Sequence, residues 1–269
     1  MIPEFFYILI LVLTGIGVGF TTGLLGVGGG FILVPILFIL LESIGVESTL
    51  AIRMAFGTSL AVILPTALSS AYGHQRNQNV VFKAVLFLGV SGFLGGLIGG
   101  YIATHLPVDI LKTIFAVVLL LVALRMLLFK EPTEDTTRVD NIPLFILWGL
   151  IAGIISGLVG IGGAVILIPV MVLLMGYSMK EAGGTSSAVI VLTSMGGIIS
   201  YILNGLHTPG LPPYSLGYIN LLQLVILIIF SIPMAQIGAW ASHKFPEKLL
   251  RYIFIIILIF VSLEILGVF

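Results

Sequence analysis

Cysteine is absent from the 269 residues, which excludes disulfides, iron–sulfur clusters and thiolate metal sites and leaves the redox compartment undecided. Charge is nearly as scarce. Asp, Glu, Lys and Arg make up 8% of the chain, against roughly 25% in soluble domains. Net charge is zero, and no basic run is dense enough to track a phosphate backbone, so nucleic acid is not an expected partner. His74, His105, His207 and His243 are scattered over loops and segment ends without ligand spacing, so no metal is expected. No Ser/His/Asp arrangement or paired carboxylate set points to hydrolysis, and neither an enzyme nor a cofactor is expected. Hydrophilic sequence is confined to one clear stretch, Lys130 to Asn141, too short to fold alone.

What is present is apolar. Hydrophobic residues make up 59% of the chain and mean hydropathy is +1.27, more than a soluble core of this size hides, so lipid must cover much of the surface. The start, MIPEFFYILILVLTG, has no basic n-region and reads as an uncleaved first membrane segment. Ten apolar segments follow from the Pro, Gly and polar punctuation: 4–25, 27–41, 51–72, 80–105, 108–129, 143–159, 161–175, 181–204, 219–243 and 246–267. Most are long enough to cross about 30 Å of hydrocarbon as helices. The second and seventh are not. At about 15 residues each they reach only about 22 Å, which fits a half-crossing or re-entrant segment.

The chain also repeats itself. GLLGVGGGFILVP (23–35) aligns without a gap on GLVGIGGAVILIP (157–169), Ala55-Phe56-Gly57-Thr58-Ser59 on Ala182-Gly183-Gly184-Thr185-Ser186, and IGGYIATHLPVDILKTIF (98–115) on IGAWASHKFPEKLLRYIF (237–254). Three blocks in the same order imply an internal duplication. Orientation follows from the basic residues. With the N-terminus outside, nine of the eleven (Arg76, Lys83, Arg125, Lys130, Arg138, Lys180, Lys244, Lys248 and Arg251) fall inside, and Arg53 and Lys112 fall outside. Each half then makes an odd number of crossings and the two run antiparallel. The expected fold is an all-α polytopic membrane protein of two inverted repeats of about five helical segments. Residues 1–129 and 143–269 form the repeats, 130–142 a cytoplasmic linker, and both termini lie outside. Parity alone leaves open whether segments one and two, and six and seven, cross fully or form hairpins.

The glycine clusters carry the chemistry. Gly26, Gly28, Gly29 and Gly30, and Gly160, Gly162 and Gly163, precede the two short segments. A broken backbone is tolerated in lipid only against protein or a cavity. A helix starting there presents unbonded N–H groups and the positive end of its dipole, which attract an anion without a fixed positive side chain. Packing alone is the competing reading; the matched Pro35 and Pro169 favour breaks, and Pro35, a few residues into its segment, could instead kink a helix already begun. A dinucleotide fingerprint is excluded, because no strand precedes the glycines and no acidic residue follows in a βαβ setting. Thr58, Ser59, Thr185 and Ser186 could donate hydroxyls to the anion, or bond their own helix. Arg53 and Lys180 occupy matched positions, as electrostatic entrances or as snorkelling interface residues. Glu181 reads as an interface residue beside Lys180, and Asn220 and Gln223 as cavity lining or helix ties.

On these motifs the chain resembles the TauE/SafE family of membrane permeases, over essentially its whole length. The resemblance implies movement of sulfite, a sulfonate or a related organosulfur anion across the prokaryotic cytoplasmic membrane. It carries the family's glycine motif onto Gly26, Gly28, Gly29, Gly30 and Pro35, and onto Gly160, Gly162, Gly163 and Pro169. Ala164 departs from the triplet, which hints that the ligand leans toward one half. Expected partners are a small anion and lipid; the coupling ion is unknown and a homo-oligomer is compatible. An anion channel, a cation or neutral-solute carrier and a structural module are the rival readings.

Overall fold

The computed structural model describes residues 4–26, 28–128 and 138–242, with Lys244, Leu249, Tyr252, Ile255, Ile256, Ile259 and Leu263 beyond them. The tenth expected segment and most of the linker lie outside the described residues. The first half holds α1 (Glu4–Leu25), α2 (Gly30–Ser43), α3 (Ser48–Gln75), α4 (Phe82–His105) and α5 (Val108–Leu128). The second holds α6 (Ile142–Val159), α7 (Ala164–Leu173), α8 (Met179–Gly205) and α9 (Leu221–Ser242). Ahead of α9 comes a small antiparallel hairpin of β1 (Ser215–Leu216) and β2 (Ile219–Asn220). Among the described residues, six helices are apolar and long enough to cross a membrane: α1, α3, α4, α6, α8 and α9. The chain is a multi-pass membrane protein.

Small residues set the packing. Gly15, Gly19 and Gly23 of α1 lie against the backbone at Leu227, Ser231 and Ala235 of α9. In the same way Gly149, Gly153 and Gly157 of α6 lie against Leu88, Gly92 and Gly96 of α4. Both pairs run parallel, since residue numbers rise together on the two helices. A Cβ on Gly23 would stand 2.0 Å from the Ala235 carbonyl oxygen and one on Gly153 2.1 Å from that of Gly92. Such contact needs glycine on at least one helix, and in lipid it is van der Waals attraction that holds the helices together.

Helices α3 and α8 cross at the centre. The Ser70 hydroxyl is 3.0 Å from that of Ser187, and Leu60 packs where a Cβ on Gly197 would stand, so α3 and α8 run antiparallel. Helix α2 begins beside the middle of α3, at Ile63, and is joined to the start of α3 by four residues. It is therefore a half-length return, and α7 beside α8 does the same over 10 residues. The hairpin alternative left open by charge parity describes these segments. Pro35 and Pro169 are each the sixth residue of their helix, so glycine opens both helices and proline sits inside them.

Candidate functional site

The two breaks are built alike. Gly26, Gly28 and Gly29 have φ of 70°, 84° and 70°, and Gly160, Gly162 and Gly163 have 70°, 84° and 84°. This left-handed region costs an L-residue about 1–2 kcal/mol, so glycine is the fitting residue. Gly29 and Gly163 cap α2 and α7, and their carbonyls accept from Ile32 and Leu33 (both 3.1 Å) and from Ile166 and Leu167 (3.2 and 3.1 Å). The amides of Gly29 and Gly30, and of Gly163 and Ala164, come earlier and have no carbonyl of their own helix to reach.

Gly30 and Ala164 differ for a packing reason. Neither has a positive φ, so both are ordinary helical residues. A Cβ on Gly30 would stand 2.5 Å from Ile161 Cα and 2.7 Å from the Gly160 carbonyl oxygen. The third glycine lets the first break press against the second, while at 164 there is room for a methyl group. Conformation gives no preference for one half. Over both breaks lie Ile63 and Ile190, fully buried. Where a Cβ on Gly162 would stand, Ile190 Cγ2 is 3.0 Å away and Ile63 Cγ2 3.2 Å. The glycines are buried and the centre is closed in this conformation.

The hydroxyls named from the sequence are brought to the breaks, and each is committed to backbone. Ser59 Oγ donates to the Gly160 carbonyl at 2.8 Å and Ser186 Oγ to that of Gly26 at 2.8 Å. Thr58 Oγ1 accepts from the amide of Asn220 at 2.9 Å and Thr185 Oγ1 from that of Val81 at 3.0 Å. Each half thus covers the carbonyl end of the other half's broken helix. This has an electrostatic consequence. The carbonyls at the ends of α1 and α6 would repel an anion, and those of Gly26 and Gly160 are masked by donors, whereas neither α2 nor α7 carries an acidic residue in its first turn.

Arg53 and Lys180 do not lie at the breaks. Arg53 Nη2 donates to the Leu106 carbonyl at 3.3 Å, and its Nε is buried with no partner among the described residues. Lys180 is half-buried above a narrow recess walled by Leu24, Leu25, His74, Gly183 and Ser242. Nearby, Glu181 closes a capping box with Ser178 and pairs with Arg138 at 3.6 Å. Arg138 also lies 3.1 Å from Asp140 and 4.4 Å over the Tyr177 ring. Burial, outweighing the neighbouring Arg138, pushes the Tyr177 phenol up to about 12. The Asn220 side chain caps α9, its Oδ1 accepting from the Gln223 backbone N–H at 3.0 Å, whereas Gln223 ties α9 to α1, its Nε2 donating to the Tyr7 hydroxyl at 2.7 Å.

His74 lies in the last turn of α3, a segment end as the sequence placed it, yet it is 1% exposed and its Nε2 donates to the Gly23 carbonyl at 2.9 Å. In the second half Tyr201 takes the equivalent place, its hydroxyl donating to Gly157 at 2.8 Å. Three further features went unseen in the sequence. Ile63 and Ile190 are matched in the repeat, but nothing separates them from other isoleucines until α3 and α8 are crossed. Ser156 is the third: fully buried, its Oγ bonds to no described residue, and its Cβ is 3.4 Å from where one on Gly163 would be. Its counterpart Thr22 donates to the Val18 carbonyl at 2.7 Å. Among the described residues no cluster of three or more His, Asp or Glu could hold a metal.

The family model described as "Sulfite exporter TauE/SafE" matches residues 11–265. A probable membrane transporter protein of Haemophilus influenzae is 33% identical over 260 residues, covering 97% of this chain and 98% of the relative. One of Methanocaldococcus jannaschii is 32% identical over 250 residues, covering 92% and 91%. YdhB of Bacillus subtilis, also a probable membrane transporter protein, is 27% identical over 249 residues, covering 91% and 92%. No solved structure matches. A bundle of membrane-length helices, two glycine-opened half-helices meeting at its centre and full-length similarity converge on one assignment: the chain is a membrane transporter, not an enzyme, and belongs to the sulfite exporter TauE/SafE family.

Proposed function

We propose that the protein is an alternating-access permease for a small anion, sulfite, a sulfonate or a related organosulfur anion, in the prokaryotic cytoplasmic membrane. Its halves act as inverted repeats, with the N-terminus and Arg53 outside and Lys180 inside. The carrying observation is the pair of matched helix starts that meet where α3 and α8 cross antiparallel, each with opening amides that find no carbonyl within their own helix. Two N-terminal dipoles converging on one point hold negative charge without burying a cation, which suits a site that must also release its ligand. The amides of Gly28, Gly29 and Gly30 and of Gly162, Gly163 and Ala164 are the ligands, and the Ser156 hydroxyl is a further donor. Ser59, Ser186, Thr58 and Thr185 hold the breaks in shape. The family description supplies the sulfur oxyanion; the geometry supplies the sign of the charge.

Carrier is favoured over channel because Ile63 and Ile190 close the centre. They must part to admit a ligand, which couples opening to occupancy. The test is sulfite flux into proteoliposomes. Gly28→Ala and Gly162→Ala each add a methyl group 3.0 to 3.4 Å from an isoleucine methyl group, at a φ of 84°. These substitutions are expected to cost about 1–2 kcal/mol of stability. They should yield folded protein with flux reduced at least tenfold, and wild-type flux in both would sink the assignment.

A further inference from the structure

At the Arg53 end, on the outer flank of the first break, a cavity of about 220 Å³ opens between α2, α3 and α5. Its walls include Pro35, Phe38, Ile52 and Phe115, with Lys112 as the one charged residue lining it. The Lys112 ammonium stands 4.3 Å from the centroid of the Phe38 ring and joins no ion pair among the described residues. A half-buried ammonium with only a ring face for company gains from a counter-ion, because an apolar wall strengthens any charge placed beside it.

We propose that this cavity is an outer binding site for an anion that carries a short apolar group. The anionic head pairs with Lys112 Nζ, and the carbon part lies against Phe38, Ile52 and Phe115. A bare inorganic oxyanion uses only the ammonium and leaves the walls uncovered, so the site prefers an organic anion to an inorganic one. The route onward is shut by one aromatic pair. Phe115 stacks on Phe56, centroids 6.2 Å apart and planes 15° from parallel. Phe56 in turn presses on the second break: a Cβ on Gly160 would stand 2.6 Å from Phe56 Cα. At the matched place in the other half Gly183 faces Gly26, with no side chain at all. Phe56 and Phe115 therefore form the gate between the outer site and the break. That the bound anion is cargo rests on the permease reading; the binding itself does not.

The experiment is calorimetric binding of ethanesulfonate and of sulfite to the protein in nanodiscs of phosphatidylcholine alone. Losing a charge-assisted contact of this kind is expected to weaken ethanesulfonate binding in Lys112→Gln about tenfold or more. Lys112→Arg should restore it, and sulfite should bind unmodified protein and Lys112→Gln within about twofold. The same Lys112 dependence in a Gly162→Ala background, where flux is reduced at least tenfold, separates this site from the break. Equal ethanesulfonate binding by unmodified and Lys112→Gln protein would overturn the proposal. So would a Lys112 effect that appears only when phosphatidylglycerol is in the disc, which would make the cavity a lipid headgroup site.

Discussion

The two halves share a centre and differ at their ends. Gly26 and Gly160, Gly28 and Gly162, and Gly29 and Gly163 agree in φ to within 14°, and Ser59 and Ser186 reach across to the opposite break at the same 2.8 Å. At the ends the match fails. Phe56 presses on Gly160 where Gly183 faces Gly26, and Tyr201 bonds Gly157 where His74 bonds Gly23. Between α8 and α9 run 15 residues with the β hairpin, where six join α3 to α4. Even so, the connections put the same group over matched glycines: the Tyr218 carbonyl oxygen over Gly57 and the Asn79 carbonyl oxygen over Gly184. In the permease proposed above, a site that serves ligand from both sides has reason to keep its centre equal, and ends that meet different solutions are free to diverge.

The largest expected effect tests the shared centre. Gly26→Ala would place a methyl group 2.1 Å from the Gly183 carbonyl oxygen, and Gly160→Ala one 2.6 Å from Phe56 Cα, both at a φ of 70°. Backbone must move in each, so neither should give monodisperse protein in detergent. Gly45→Ala has a φ of 88° but nothing within 4 Å, and should fold with only the left-handed cost of about 1–2 kcal/mol. Folded protein from Gly26→Ala and none from Gly160→Ala would break the equivalence.

Next comes the difference at the ends. Phe56→Gly copies the second half's residue into the first and removes a side chain that is fully buried. Filling and closure are lost together, at a cost of about 3–5 kcal/mol if the site collapses little. The folded fraction should leak sulfite from loaded liposomes without counter-substrate. A tight Phe56→Gly protein would mean that closure at the Arg53 end lies elsewhere.

The smallest effect sharpens the symmetry. Ser59→Ala and Ser186→Ala each leave a buried carbonyl without its donor, costing about 1–3 kcal/mol. Thermal unfolding should place the two variants close together. A large gap would show that one break depends on its partner more than the other.

Much of this was legible in the sequence because membrane helices announce themselves. The expected 4–25 and 108–129 fall on α1 (Glu4–Leu25) and α5 (Val108–Leu128), since lipid lets only helices cross. The breaks were legible as well, because left-handed backbone restricts the residue type to glycine and the repeat shows each twice. The bonding of the hydroxyls was not. Ser59 is 101 residues from Gly160, and no local pattern says that a serine's partner is the other half's carbonyl. The role of His74 was hidden for the same reason: its burial comes from α1 and α8 and not from its own neighbours. Glycines 15, 19 and 23 are spaced for close packing, but their partners on α9 are Leu227, Ser231 and Ala235, which carry no glycine signal of their own.

The central claim is that Ile63 and Ile190 part to expose an anion site between the two breaks. The native chain has no cysteine, so Ile63→Cys and Ile190→Cys each supply one thiol for a small anionic methanethiosulfonate added to transporting proteoliposomes. The account predicts that both thiols react during turnover, and that saturating sulfite slows the reaction at each. Thiols that stay unmodified from either side, in protein that still transports, would contradict it.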